Sequence, residues 1–267
     1  MVANVTTVKR KLAENLKRIR DRVESACTRA KRDPATVRIV AVTKYVDLDV
    51  IRQSLESGLL DLGESRPQQL NQRAGMIHEF IERKTVLAGR AGANLPRPRW
   101  HMVGHLQRNK VKLVLPWCEM IHSVDSLRLA EDLHTQAARL GRTVDILFQV
   151  NTSGEKSKFG IAVGAVPHLL EHLDAWPNIR LCGLMTMAPA DSTPVELRLY
   201  FERLHDVFED IRGELEPGPH FKELSMGMSA DFETAIECGA TMIRLGSGLF
   251  EGLFSPNAAA QDDEDEP

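Results

Sequence analysis

Aromatic residues are scarce in this chain: two tyrosines, three tryptophans and nine phenylalanines among 267 residues. A core must therefore be packed mainly from Val, Ile, Leu, Met and Ala. Paired cysteines are missing altogether, since Cys27, Cys118, Cys182 and Cys238 stand far apart and never form Cys-x-x-Cys. That spacing argues against a zinc site, and scattered single thiols fit a reducing cytosol. No stretch approaches the roughly 20 apolar residues of a membrane span. The N-terminus, where Lys9, Arg10 and Lys11 arrive among polar residues, has no apolar signal core. A cytoplasmic protein with no membrane partner is expected. A dense basic patch with interleaved aromatics is also lacking, so no nucleic-acid partner is expected. The net charge of −3 owes five negative charges to residues 262–266, which leaves the rest weakly positive. Residues 258–267 read as a disordered acidic tail with nothing apolar to bury.

What the chain does have is alternation. Val8, Leu12, Leu16, Ile19 and Val23 recur at spacings of three and four, which predicts an N-terminal helix. The β-rich run 38–43 then stops at Lys44, as a parallel strand buried on both faces would. A helix over 49–57 is closed by Gly58. A short strand over 59–62 precedes a polar helix over 67–84. Residues 88–99, rich in Gly, Pro and Arg, read as an exposed loop. Further strands are expected at 100–104, 120–124, 144–150, 179–187, 223–225 and 242–245. Helices lie between them, marked by Leu127 to Leu140, by Leu197 to Ile211 and by residues 229–237. About eight strands, each followed by helix or loop, favour a single (β/α)8 TIM-type barrel over residues 1–257 with an extra N-terminal helix. An open doubly wound sheet is the alternative.

Polar residues collect where strands end: Lys44; Gly63, Glu64 and Ser65; His105, Gln107, Asn109 and Lys110; His122, Ser123 and Asp125; residues 151–155; Thr186; residues 225–229; and Gly246, Ser247 and Gly248. Reactive groups of α/β barrels gather on that rim. After the last two strands, Gly227, Gly246 and Gly248 with Ser225, Ser229 and Ser247 offer unobstructed N–H groups and hydroxyls, with Arg244 adding a positive charge. This suits a phosphate, although glycines also serve tight turns. Lys44 shares one side of its strand with Val40 and Val42, and partial desolvation there would free a neutral amine for a Schiff base. Taken alone, such a lysine more often reaches solvent or pairs with a carboxylate such as Asp47 or Glu64. Lysine and phosphate cradle together fit a cofactor carrying both an aldehyde and a phosphate, or a Schiff-base aldolase acting on a phosphorylated sugar. His168-Leu-Leu-Glu171-His172 matches an inverted zinc-protease pattern but lacks a third ligand. His101 and His105 have no acidic or thiol partner nearby, so no metal is expected. A dinucleotide fingerprint at Gly246-Ser-Gly248 is rejected because only fifteen residues follow Gly252.

The segments Ala41-Val-Thr-Lys44, Leu62-Gly-Glu-Ser65, His101-Met-Val-Gly-His-Leu-Gln-Arg-Asn-Lys110, Gln149-Val-Asn-Thr-Ser-Gly-Glu155, Lys158-Phe-Gly160, Gly183-Leu-Met-Thr-Met187, Leu224-Ser-Met-Gly-Met-Ser229 and Arg244-Leu-Gly246 follow one another in order. In them the chain resembles the pyridoxal phosphate homeostasis proteins along nearly its whole length. The resemblance implies the barrel fold of the alanine racemase N-terminal domain, with pyridoxal 5′-phosphate (PLP) as a Schiff base on Lys44. It implies a phosphate held by Ser225, Met226, Gly227, Met228, Gly246 and Ser247, with Arg244 near the phosphate or the pyridine ring. The implied role is PLP homeostasis: holding, delivering or buffering the cofactor, with PLP-dependent apo-enzymes as partners and no established catalytic reaction. A low-activity racemase-like enzyme is the alternative. Two-base racemisation needs a second proton donor, and the only tyrosines are Tyr45 and Tyr200. With no second domain to complete a shared site, a monomer is expected. The chain departs from the family pattern at Ser65, where Asn is usual, in the long loop 88–99, at Phe250-Glu251-Gly252, and in its acidic tail.

Overall fold

Apolar and β-branched residues make Arg38–Val42 the first strand, β1, and every later strand pairs parallel to its neighbours. The computed structural model describes residues 5–88, 96–155, 157–214 and 217–255. The strands that follow are β2 (Asp61–Glu64), β3 (Arg99–Met102), β4 (Cys118–Val124), β5 (Val144–Asn151), β6 (Ile161–Ala162), β7 (Ile179–Met185), β8 (Glu223–Ser225) and β9 (Met242–Leu245). Their order is β4-β3-β2-β1-β9-β8-β7-β5, and a pairing of β4 with β5 closes the ring. Among the described residues, two-residue β6 pairs only with the end of β5. Eight parallel strands thus form the barrel, and the open sheet is ruled out.

The helices are α1 (Val5–Arg29), α2 (Leu48–Glu56), α3 (Pro67–Ala88), α4 (Val111–Val114), α5 (Leu127–Arg139), α6 (Val166–Leu170), α7 (Pro194–Glu214) and α8 (Phe232–Glu237). The apolar stripe of α1 is buried at each of the five positions that predicted it. On the same face Asn15 Nδ2 donates to Leu249 O at 3.1 Å and Glu251 O at 3.0 Å, while Arg18 pairs with Glu251. The extra helix therefore holds the turn that follows β9.

Side chains alternate between the helices outside and the barrel interior. Met120, Leu147, Cys182, Met185 and Met242 form an apolar cluster inside. Toward the start of the strands, three ion pairs join neighbouring or nearby strands: Arg38–Glu223 at 3.1 Å, Arg99–Asp61 at 2.6 Å and Arg180–Asp145 at 2.6 Å.

The second strand lies two residues later than its apolar run indicates, so Gly63 and Glu64 belong to it instead of following it. Gly63 is a packing residue here: a Cβ would come 3.1 Å from Val40 Cγ1 and 3.4 Å from Val103 Cγ1. The helix at 229–237 begins only at Phe232. The short strand β6 has no counterpart in the expected pattern. Most of the loop 88–99, at 89–95, and the acidic tail, with the boundary at 257, lie outside the described residues. Among the described residues no helix is long and apolar enough to cross a membrane.

Candidate functional site

A cavity of about 520 Å³ opens at the C-terminal ends of the strands. Lys44 stands just past β1 on its inward side. Its Nζ lies over the Tyr45 ring, 4.2 Å from the centroid, and pairs with no carboxylate among the described residues. Neither partner considered from sequence takes it: Asp47 precedes α2, and Glu64 is engaged elsewhere.

The turn carrying Lys44 is clamped from beneath. Arg73, on α3, donates to Thr43 O, to Lys44 O at 3.4 Å and to Val46 O at 3.1 Å, and also to Glu64 Oε1 at 2.7 Å. Thr43 Oγ1 donates to the same carboxylate oxygen. Glu64 is fully buried and burial pushes its carboxyl up; the Arg73 charge and the hydrogen bonds from Thr43 and Arg73 offset only part of this. Arg73 went unnoticed in the sequence. Its signal was a cation in register with the apolar stripe Leu70, Ala74, Ile77 and Ile81, all buried.

Across the cavity stand the segments after β8 and β9. Lys44, Met228, Arg244, Gly246 and Ser247 line the space, and so does Ser229; Ser225, Met226 and Gly227 do not. Met226 is buried in the outer core. Gly227 has φ +91°, and a Cβ there would come within 2.6 Å of Ala235 Cβ, so only glycine lets the turn pack against α8. The Met228 amide donates to Asp231 Oδ1 and the Gly248 amide to Ser229 Oγ. The backbone amides of Ser229, Ala230 and Ser247 donate to no protein group among the described residues. Three amide donors without a protein acceptor, beside two serine hydroxyls, have the chemistry to receive an anion.

Arg244, 4% exposed, reaches the cavity from the barrel interior. It donates to Ser225 Oγ at 2.8 Å and to Thr186 O at 2.9 Å. Burial lowers its pKa to about 10, with Asp231 partly compensating, so it stays cationic at neutral pH. Ser65, where the family pattern has Asn, also lines the cavity.

The mouth is aromatic. Phe159 stacks on His105 with ring centroids 4.0 Å apart, and Tyr45 meets Phe254 edge-on at 6.3 Å. Phe159 is held by its carbonyl, which accepts from Gln149 Nε2 at 3.1 Å, and His105 faces Asp125 at 3.3 Å. His101 is turned away from the mouth into the barrel, 2.9 Å from His122. The zinc-like run gives nothing: α6 ends at Leu170, and His168 and Glu171 are exposed and 3.7 Å apart. Among the described residues no group of three or more His, Cys, Asp or Glu side chains could hold a metal ion.

Comparison with known proteins agrees with this architecture. The alanine racemase N-terminal domain family matches residues 9–253. A pyridoxal phosphate homeostasis protein of Aquifex aeolicus is 35% identical over 238 residues, covering 89% of this chain and 96% of its own. Its namesake from Pseudomonas aeruginosa is also 35% identical, over 90% of this chain and 94% of its own. The structure of PipY from Synechococcus elongatus with PLP bound superposes with a TM-score of 0.74 at 29% identity, over 90% of this chain and 99% of that one. Diaminopimelate decarboxylase, at 13% identity and a TM-score of 0.65, shares the fold alone. With a family match across most of its length and relatives this similar from end to end, the chain belongs to the pyridoxal phosphate homeostasis protein family, built on the N-terminal barrel of alanine racemase.

Proposed function

We propose that this chain holds PLP in the rim cavity, as a Schiff base on Lys44 Nζ, and serves intracellular PLP homeostasis as a carrier. One observation carries the reading: a single cavity is bordered both by an amine with no carboxylate partner and by amides with no acceptor among the described residues. The first suits an aldehyde and the second a phosphate, and PLP bears both. Ser229, Ala230 and Ser247 would take the phosphate, and Arg244 would lie along the ring. Ser225, Met226 and Gly227 contribute from behind: Ser225 orients Arg244, Met226 anchors the strand in the core, and Gly227 shapes the turn. A relative solved with PLP bound and relatives named for PLP homeostasis support the same reading.

Bound PLP supplies an electron-withdrawing ring whose strength depends on its surroundings. Arg73 and Glu64 hold the backbone of Lys44, and Phe159 and His105 narrow the access of water. A cation along the ring disfavours protonation of the pyridine nitrogen and so weakens amino-acid chemistry. A second reading, racemase-like turnover, has one observation in its favour: His105, paired with Asp125, borders the same cavity as Lys44, giving it a second proton-carrying group. Exchange of the α-proton of alanine in deuterated buffer decides between them. Exchange at rates ordinary for enzymes, about 10 per second, would replace the carrier reading.

The direct test is the near-visible spectrum before and after borohydride, with the reduced adduct mapped by peptide mass. A pyridoxyl group on Lys44, absent in Lys44→Ala, is expected. A protein that takes up no added PLP sinks the proposal and restores the aldolase-like alternative.

A further inference from the structure

Five buried polar side chains run in contact through the barrel interior. Asp61 on β2 meets His101 on β3, its Oδ1 3.0 Å from Nε2. His101 Nδ1 lies 2.9 Å from His122 Nε2 on β4. His122 Nδ1 lies 2.9 Å from Ser225 Oγ, a contact that crosses the barrel to β8. Ser225 Oγ then accepts from Arg244 on β9 at 2.8 Å. All five residues are at most 5% exposed, and the apolar cluster of Met120, Leu147, Met185 and Met242 occupies the same interior.

The two ends determine where the protons sit. A guanidinium can only donate, so Ser225 Oγ accepts from Arg244. At the far end Arg99 grips Asp61 through Nε at 2.8 Å and Nη2 at 2.6 Å; burial pushes the carboxyl up, but the hydrogen bonds from Arg99 and His101, together with the Arg99 charge, hold it below the usual carboxylate range and keep it ionised. A carboxylate can only accept, so His101 Nε2 carries a hydrogen. If His101 is neutral, its bare Nδ1 must accept from His122 Nε2–H. His122 Nδ1 then accepts the Ser225 hydroxyl hydrogen. In that order every contact of the chain pairs one donor with one acceptor. The reverse order at His122 needs a His101 imidazolium and leaves the Ser225 hydrogen without an acceptor among the described residues. Burial also drives His122 strongly toward the neutral form.

We propose that His122, His101 and Asp61 are positioning residues for Arg244: a one-way hydrogen-bond chain that turns the lone pairs of Ser225 to the guanidinium and holds it oriented at the cavity. Its consequence for ligand rests on the PLP reading; the chain itself does not. The geometry assigns the Nε2–H tautomer to both histidines and makes Ser225 an acceptor toward Arg244.

The test uses full-length protein labelled with ¹⁵N at histidine and arginine, without added PLP. Long-range proton–nitrogen spectra should show neutral Nε2–H rings for His101 and His122 at pH 7. The Arg244 Nη signals should be individually resolved, as for a guanidinium in slow rotation. In His122→Phe they should broaden toward an average, and in His122→Gln, which keeps a donor and an acceptor, they should recover. An imidazolium at either position, an Nδ1–H at His122, or Arg244 signals unmoved in His122→Phe would overturn the proposal. His101→Phe serves in its place should His122→Phe not fold. With PLP added, His122→Phe should bind roughly tenfold more weakly, with a displaced band, while His122→Gln stays near the wild type. Equal affinity and spectrum for His122→Phe count against the chain. Failure of the wild type to bind PLP counts only against the cofactor reading.

Discussion

Arg73 meets Glu64 at 2.7 Å beneath the turn that carries Lys44, and the same guanidinium donates to three carbonyls of that turn. The pair converts a helix position into a fixed place for the lysine backbone. Removing one member of a buried pair leaves the other uncompensated, at about 3–5 kcal/mol when both are deep. Arg73 is 15% exposed, which favours the lower end of that range. Arg73→Met should therefore lose about 3 kcal/mol in urea unfolding, and PLP uptake should fall with it. Arg73→Met combined with Glu64→Gln should recover part of the stability, because the stranded carboxylate is gone. If the single variant unfolds like the wild type, the clamp is not structural.

Gly227 gives a sharper steric prediction. With φ +91° and a would-be Cβ 2.6 Å from Ala235 Cβ and 2.9 Å from Phe232 Cα, an alanine must displace α8 from the turn leading to Ser229. Gly227→Ala should lose about 1–3 kcal/mol and weaken binding of inorganic phosphate as well. Gly164, outside the left-handed region and with nothing within 4 Å of where a Cβ would stand, is the control: Gly164→Ala should stay within about 0.5 kcal/mol of the wild type. Calorimetric melting and phosphate titration read both effects.

The succession of strands and helices and the rim of polar residues were legible because alternation and strand-end chemistry are local. The interior was not. Reading strands as buried on both faces gives no reason to expect Asp61, His101, His122, Ser225 and Arg244 to meet. They come from five strands, and the contact between His122 and Ser225 spans 103 residues. Only closure of the barrel, with its register, sets them against one another. For the same reason His101 read as a weak metal candidate when it is a link inside the core. Gly63 read as a strand end because glycine usually marks turns, whereas here it makes room for Val40 and Val103. Met226 and Gly227 stood within the cradle motif but shape it from outside, which strand direction alone does not reveal.

Asp61 sets an acid limit. Burial pushes its carboxyl up, but the hydrogen bonds from Arg99 and His101, with the Arg99 charge, outweigh that, and the net displacement is well below the usual carboxylate value. A folded-state pKa depressed in this way adds stability that is fully present above the unfolded value near 3.8 and is lost as pH falls below it. Urea midpoints should therefore drop between about pH 4 and pH 2. Asp61→Asn should start lower at pH 7 and show a shallower decline over that window. Parallel curves for the two proteins would assign the acid sensitivity to other carboxylates.

Phe159 is 58% exposed, yet its backbone is tied to Gln149 and its ring lies flat on His105 at the cavity mouth. A large aromatic kept in water beside a cavity costs little to remove from the fold and much to the enclosure of whatever the cavity holds. Stacked aromatic pairs contribute about 0.5–1.5 kcal/mol beyond area burial, which corresponds to roughly two- to tenfold in a dissociation rate. Phe159→Ala should leave the melting temperature near that of the wild type and the association rate of PLP little changed. Release should quicken by about that factor, measured by stopped-flow transfer of PLP to an excess of acceptor amine. His105→Ala should produce a similar acceleration, and the double variant little more, because the two rings form one wall. Additive effects would mean that Phe159 and His105 guard the cavity separately, and an unchanged release rate would mean that the mouth does not control exit.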